Sequence, residues 1–274
     1  MKEDRAFLRL RQVCLVASDL AREAARIGSI FGLDICHRDP NVAKYGLENV
    51  LFPIGTRFLE IVAPTRPGTA AGRFLERHGG RYGYMVILDC DDPERYQRRA
   101  ESLGVRIANT IRHDSYFGVQ LHPKDTGAAM LEFNSTVGGG DPMGPYGPAG
   151  PDWQRAVRRD RTLAMTSVEI EAPDADEIAQ HWAQIVGRRV EDTGNGKRRI
   201  ALDAGAIDFL PSSAGEAVFS GINVEAADSR AIFAAAQTQG CAADYGTVSV
   251  CGVRFRITPA RASGAEGAGQ PAPS

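Results

Sequence analysis

The chain has 274 residues, 43% of them hydrophobic and 24% charged, with a formal net charge of -2. That is the make-up of a soluble globular protein with room for two domains. Its 32 basic and 34 acidic side chains nearly cancel, which argues against nucleic acid or an anionic membrane as partner.

No run of 18 apolar residues occurs, so no membrane span is expected. The charged start, Met1-Lys2-Glu3-Asp4-Arg5, has no apolar stretch of the signal-peptide kind. Cysteines stand at 14, 36, 90, 241 and 251, without CxxC spacing. An odd count in that pattern predicts neither a disulfide framework nor a thiolate zinc site, and it fits a reducing, cytoplasmic compartment.

The elements recur. Val13-Cys14-Leu15-Val16-Ala17 reads as the core of a strand over 9–17 and runs into Ser18-Asp19. Asp19 is placed to cap a helix over 20–31, with Leu20, Ala24, Ile27 and Phe31 at helical spacing and Gly32 as its stop. A strand is expected from Leu33 to His37. Two more, over 50–54 and 58–62, are joined by the turn signal Gly55-Thr56. A connector over 65–83 holds a short helical pattern at 70–78.

The second unit repeats this order, with a strand at 84–90, a helix at 93–103 and strands at 105–107, 119–122 and 129–133. Residues 109–118 read as loop. Residues 137–152 are dense in Gly and Pro and mark a linker. A third unit (about 163–210) has a helix at 175–186 and the hairpin signal Gly194-Asn195-Gly196. A fourth covers about 221–258. The Asp-to-Gly interval around each helix is 13, 13, 13 and 12 residues, from Asp19, Asp91, Asp174 and Asp228.

This predicts an α+β protein of four βαβββ units in two tandem pairs, with curved mixed sheets and helices outside. The expected divisions are an N-terminal domain at 8–136 (units 8–64 and 80–134), a linker at 137–161, a C-terminal domain at 162–259 and a disordered tail at 260–274.

Strand alternation then nominates a site. Gln12 shares a face with Leu10 and Cys14 and is expected on the concave side, since Val13, Leu15 and Ala17 suit the helix. Glu60 lies between outward Leu59 and Ile61, and Glu132 between outward Leu131 and Phe133. Tyr84 sits seven residues before Asp91, as Gln12 sits seven before Asp19. Gln12 to Glu60 and Tyr84 to Glu132 are both 48 residues. A pseudo-twofold axis would bring the four together. Two carboxylates and an amide oxygen form a hard cluster suited to Mg²⁺ or Mn²⁺, or to an imidazole-poor Zn²⁺, Ni²⁺ or Fe²⁺ site.

The tandem units, the inward Gln12, and Leu121-His122-Pro123-Lys124-Asp125-Thr126-Gly127 followed by Met130-Leu131-Glu132 resemble the vicinal oxygen chelate superfamily. That superfamily includes glyoxalase I, bleomycin-resistance proteins, methylmalonyl-CoA epimerase and type I extradiol dioxygenases. The resemblance covers 8–136 well and 162–258 more weakly. It implies metal ligation by Gln12, Glu60 and Glu132, with Tyr84 standing where the family commonly has His. In the C-terminal pair Ser167 aligns with Gln12 and Gly221 with Tyr84. Leu210, or Asp208 if the hairpin slips, aligns with Glu60, and Ile257 or Arg256 with Glu132. No metal set survives there. With one C-terminal histidine, His181, dioxygenase chemistry is disfavoured.

The implied function is a glyoxalase-like isomerase or lyase in which a divalent metal stabilises an enolate-like intermediate. Glu132 or Glu60 moves a proton, and Tyr84 or His122 supplies a second. His78 and Arg81 flank the cup entrance as contacts for an anionic substrate. A second reading is a metal-free small-molecule binder of the bleomycin-resistance type, with Tyr82, Tyr84, Tyr116 and Phe117 as stacking surface. Under it Glu60 and Glu132 are ordinary strand-end carboxylates. Homodimerisation stays open.

Overall fold

The structure, a computed structural model, describes residues 6–79, 83–113, 115–213, 215–244 and 246–260. Its first half holds β1 (Leu8–Val16), α1 (Leu20–Phe31), β2 (Leu47–Ile54), β3 (Arg57–Pro64), α2 (Ala70–His78), β4 (Gly83–Cys90), α3 (Pro93–Ser102), β5 (Ile107–His113), β6 (Tyr116–Leu121), α4 (Pro123–Thr126) and β7 (Met130–Thr136). The second half holds β8 (Thr162–Ala172), α5 (Ala175–Val186), β9 (Val190–Gly194), β10 (Lys197–Ala201), β11 (Ala206–Pro211), β12 (Val218–Ala226), α6 (Ser229–Thr238), β13 (Ala243–Asp244), β14 (Thr247–Val250) and β15 (Val253–Pro259).

Among the described residues these strands form two curled mixed sheets, ordered β2-β3-β1-β4-β7-β6-β5 and β13-β14-β15-β12-β8-β11-β10-β9. Each is built about an antiparallel central pair, β1 with β4 and β8 with β12. Each central strand has its own unit's last strand parallel on its outer side. The architecture is that of two tandem glyoxalase-like folds.

The helices begin where an aspartate leaves the strand. Asp19, Asp92, Asp174 and Asp228 accept from backbone N–H groups three residues on, satisfying donors that the first helical turn leaves free. In the second unit the cap is thus Asp92. Its neighbour Asp91 pairs with Arg95 at 2.6 Å. Gly32 and Gly187 end α1 and α5 in the left-handed region, which a side chain at that position would strain.

Three expectations change. Residues 33–37 are not a strand, since only His37 bridges to Leu51. Asp39 then caps a 3₁₀ turn over Pro40–Tyr45, and Pro40 brings no N–H to a ladder. Residues 107–113 are a full edge strand, paired with β6. Its side chains are largely exposed, so the apolar alternation that reveals a strand is missing.

Leu10 and Gln12 do not share a face. The pairing of β1 with β4 slips between them, so a bulge intervenes. Leu8, Leu10, Val13 and Leu15 all pack in the core under the helices, while Cys14 and Val16 face inward.

The stretch after β7 folds back over the first sheet. Tyr146, Ala149 and Trp153 are buried against Leu51 and Phe58. Phe58 stacks on Tyr146 at 4.9 Å between ring centroids and meets Trp153 edge-on at 4.9 Å. The Arg11 guanidinium lies among these rings, 4.8 Å from Tyr146, 5.1 Å from Phe58 and 5.6 Å from Trp153. It donates to the carbonyls of Thr56 and Pro142. Burial lowers its pKa to about 10. This strap plugs one end of the first cup.

One continuous apolar core spans both halves. Polar ties reinforce it. Trp182 Nε1 donates to the Thr126 carbonyl and His181 Nε2 to that of Asp125, both at 2.7 Å. All five cysteines are free. No described helix is long and apolar enough to cross a membrane.

Candidate functional site

The concave face of the first sheet encloses a cavity of about 410 Å³. Gln12 (β1), Glu60 (β3), Tyr84 (β4), Tyr116 (β6) and Glu132 (β7) all line it. Gln12, Glu60 and Glu132, nominated by alternation, thus share one lining with Tyr84, nominated by spacing, and Tyr116, nominated for stacking. His78 and His122 line a neighbouring cavity, and Arg81 lies outside the described residues. His122 accepts the Lys124 backbone N–H through Nδ1 at 3.3 Å as the cap of α4, and it is absent from the lining of the first cavity. Of the aromatics nominated for stacking, Phe117 packs instead under the Arg112 guanidinium at 3.9 Å, and Tyr82 lies outside the described residues.

Backbone register assigns the counterparts. Cys14 lies opposite Glu60 on the parallel neighbour β3, and Gln12 opposite Phe58. In the second unit Ile87 lies opposite Glu132, and Met85 opposite Met130. The pseudo-twofold therefore matches Gln12 to Met85, and the antiparallel pairs Gln12–Ile87 and Cys14–Met85 agree with it. The matched 48-residue spacing had selected Tyr84, one residue early. A thioether thus stands across from the Gln12 amide. Tyr84 sits at the cavity's edge, meeting Phe74 edge-on at 5.1 Å.

Both glutamates are buried and held by neutral donors. Glu60 accepts from Gln12 Nε2 at 2.7 Å and Asn49 Nδ2 at 2.6 Å. Glu132 accepts from the Tyr116 hydroxyl at 2.6 Å, Gln120 Nε2 at 2.7 Å and Asn134 Nδ2 at 3.1 Å. Asn134 also donates to the Tyr146 hydroxyl at 3.2 Å, which links the strap to Glu132. Asn49, Gln120 and Asn134 were missed from sequence. Alternation on β2 and β6 would have found the first two, since Val50 and Phe52, and Val119 and Leu121, pack outward.

Neither glutamate has an ion pair among the described residues. Burial, with some help from Glu132, pushes the Glu60 carboxyl above the usual carboxylate range, against the pull of its hydrogen bonds from Asn49, Cys14 and Gln12. Burial likewise raises the Tyr116 hydroxyl, helped by the Glu132 charge, and raises Tyr84 to about 12. Both phenols therefore keep their protons at neutral pH.

Two buried amide oxygens beside the glutamates, Gln12 Oε1 and Asn134 Oδ1, have no partner among the described residues. An unmet acceptor beside two carboxylates without a cation has the chemistry of a hard-cation site, for which oxygen donors are the natural ligands. Among the described residues no cluster of three His, Cys, Asp or Glu side chains could hold a metal. The set has two carboxylates and one amide, with Met85 rather than an imidazole beside them. By donor chemistry it suits Mn²⁺ or Mg²⁺ better than Zn²⁺, Ni²⁺ or Fe²⁺, which more often take imidazole.

The second cup differs in kind. Register puts Ser167, Asp208, Gly221 and Arg256 at the places of Gln12, Glu60, Met85 and Glu132. Of the alternatives open from sequence, Asp208 and Arg256 are thus selected. Arg199 holds Asp208 through two hydrogen bonds of 2.6 and 2.9 Å, and Arg256 pairs with Glu169 at 3.0 Å. Ser167 donates to Asp208 at 2.6 Å. Its charges are satisfied internally.

The glyoxalase-like domain family model matches residues 13–186. No curated protein matches the chain. Among solved structures, a hypothetical protein from Staphylococcus aureus aligns with TM-score 0.67 at 11% identity, over 92% of this chain and 99% of that one. The Mn(II)-bound glyoxalase from Novosphingobium aromaticivorans aligns with TM-score 0.64 at 12% identity, over 93% of this chain and 83% of that one. A methylmalonyl-CoA epimerase from Streptomyces coelicolor aligns over 48% of this chain and 99% of its own, with TM-score 0.43 at 20% identity. With the curled tandem sheets and a family match over more than half its length, the chain belongs to the glyoxalase-like domain family of the vicinal oxygen chelate superfamily.

Proposed function

We propose that the first cup is the active site of a glyoxalase-like isomerase or lyase that moves a proton on a small oxygenated substrate. Residues 8–136 and 162–259 are taken as its two domains, with the chemistry in the first. The observation that carries the reading is the unpartnered Gln12 Oε1 beside two buried, cation-free glutamates. Gln12, Glu60 and Glu132 would hold a hard divalent cation. Such a cation, when bound, supplies Lewis-acid polarisation of a substrate oxygen.

The two carboxylates have different tasks. Each is held by three side-chain donors, Glu132 by Tyr116, Gln120 and Asn134, and Glu60 by Gln12, Asn49 and Cys14. Glu60 also has the raised carboxyl, and a stronger carboxylate base suits removal of a proton from carbon. Glu60 is therefore the base and Glu132 the anchor. Tyr84 keeps its proton at neutral pH and can donate a hydrogen bond to a developing oxyanion. The five free cysteines suit a reducing, cytoplasmic setting.

Mn²⁺ is a suitable probe, given the fold shared with the Mn(II)-bound glyoxalase. Protein purified without chelator is expected to bind Mn²⁺ in calorimetry and to melt at higher temperature in its presence, by about 2.7 kcal/mol of added stability at a hundredfold excess over Kd. Glu60→Gln and Gln12→Ala should each abolish the response. No binding and no shift would reject the cation and leave the second reading, a cup that binds small molecules without turnover. That reading is favoured by one fact: every oxygen of both carboxylates already accepts a side-chain hydrogen bond.

A further inference from the structure

A second cavity, of about 640 Å³, adjoins the first at Tyr84. Tyr84 lines both and is the wall they share. The second cavity has an apolar floor of Phe74, Tyr84, Ile107 and Met130. Arg73, Arg77 and Lys124 stand at its rim, all exposed. None of the three has an ion pair among the described residues, and Arg73 gives one hydrogen bond to the Gly68 carbonyl at 2.6 Å. Among the described residues the cavity's lining holds a single carboxylate, Glu216, which is engaged with His78 at 3.3 Å.

Helix α2 produces this arrangement. Arg73 and Arg77 are four residues apart, with Phe74 and His78 one step round, so one helix face presents both charge and ring to the groove. Lys124 faces them from α4. Three cations with no counter-ion among the described residues, over an apolar floor, attract an anion whose body is apolar. Arginine forks suit a carboxylate or a phosphate equally in kind.

We propose that the second cavity holds the anionic tail of an elongated molecule whose reacting end lies in the first cavity, the molecule passing over Tyr84. The substrate class is then an apolar or aromatic body ending in a carboxylate or phosphate. The inference rests on the reading of the first cup as the reacting site, and it extends that reading to what the site selects. Glu216 and Ala217 close the groove from the second half, which gives that half a part in recognition.

The test uses the full chain and two uncharged-versus-charged probes, phenylhexanol and phenylhexanoate, titrated by calorimetry at low salt. Phenylhexanoate should bind about tenfold more tightly, the effect of one charge-assisted contact. The triple variant Arg73→Gln, Arg77→Gln, Lys124→Gln should bring the two probes level by weakening the acid alone. Ile87→Trp, which fills the first cavity, should weaken both, with Ile87→Phe as the milder variant if Trp does not fold. A phenylalkyl phosphate in place of the acid shows which anion is preferred. Equal affinities in the wild type, a preference that survives the triple variant, or an acid affinity untouched by filling the first cavity would each overturn the proposal. No arm uses Mn²⁺, so failure to bind Mn²⁺ would sink the cation reading and leave this one to stand or fall alone.

Discussion

Glu60 shows how one position joins fold to chemistry. On β3 it falls between Leu59 and Ile61, which are wholly buried under the helices, so the strand's alternation forces its carboxyl into the cup. There burial favours its protonated form. The sign of the consequence follows. The folded protein holds that proton more firmly than the unfolded chain does, so without a cation its stability falls as pH rises from the ordinary Glu range through the raised Glu60 value. Cation binding needs the carboxylate, so Mn²⁺ affinity should drop as pH falls through that same window. Titration at stepped pH checks this, and an affinity that stays unchanged as pH falls to the ordinary Glu range would argue against Glu60 as a ligand.

Gln12, Glu60 and Glu132 were legible because alternation is a short-range rule. Met85 was not. Its equivalence to Gln12 depends on how β4 registers on β7, and sequence spacing carries an ambiguity of one residue there.

At the scale of elements, the helices announced themselves through capping chemistry, an aspartate before and a glycine after. The edge strand β5 was silent because exposure removes apolar patterning. The strap was misleading for another reason. Its glycines and prolines read as a linker, yet Tyr146 and Trp153 sit among them and are only 2% and 1% exposed. Trp153→Ala should therefore cost about 3–5 kcal/mol, the range for a buried aromatic lost from a packed site. Urea denaturation would measure it. A cost near zero would mean that the strap only drapes over Phe58. Because Tyr146 reaches Glu132 through Asn134, the same variant should also weaken Mn²⁺ binding.

For the whole molecule, the fourfold repeat was visible in the sequence, but the way the halves meet was not. No periodicity reports that Phe219 on β12 packs onto Gly83 on β4. A methyl added at Gly83 would fall 2.0 Å from that ring, so something must move. Gly83→Ala should destabilise the chain by about 1–3 kcal/mol, as overpacking does. Adding Phe219→Ala should cost less than the sum of the two single changes, because the second removes what the first collides with. Additive losses in thermal unfolding would show that the halves are not packed through this contact.

The bulged central seam of the first sheet has one more consequence. Gln12, Glu60, Met85 and Glu132 all stand on the four middle strands, whose register is fixed by ladders on both sides. Much of the remaining wall comes from the segment His37–Tyr45 with its 3₁₀ turn, the edge strand β2, the β5–β6 hairpin and the strap. On the proposed reading, reactivity and selectivity are thus written in different stretches of the chain. New specificities can be grafted onto this scaffold by exchanging the rim pieces, with the reacting groups inherited unchanged.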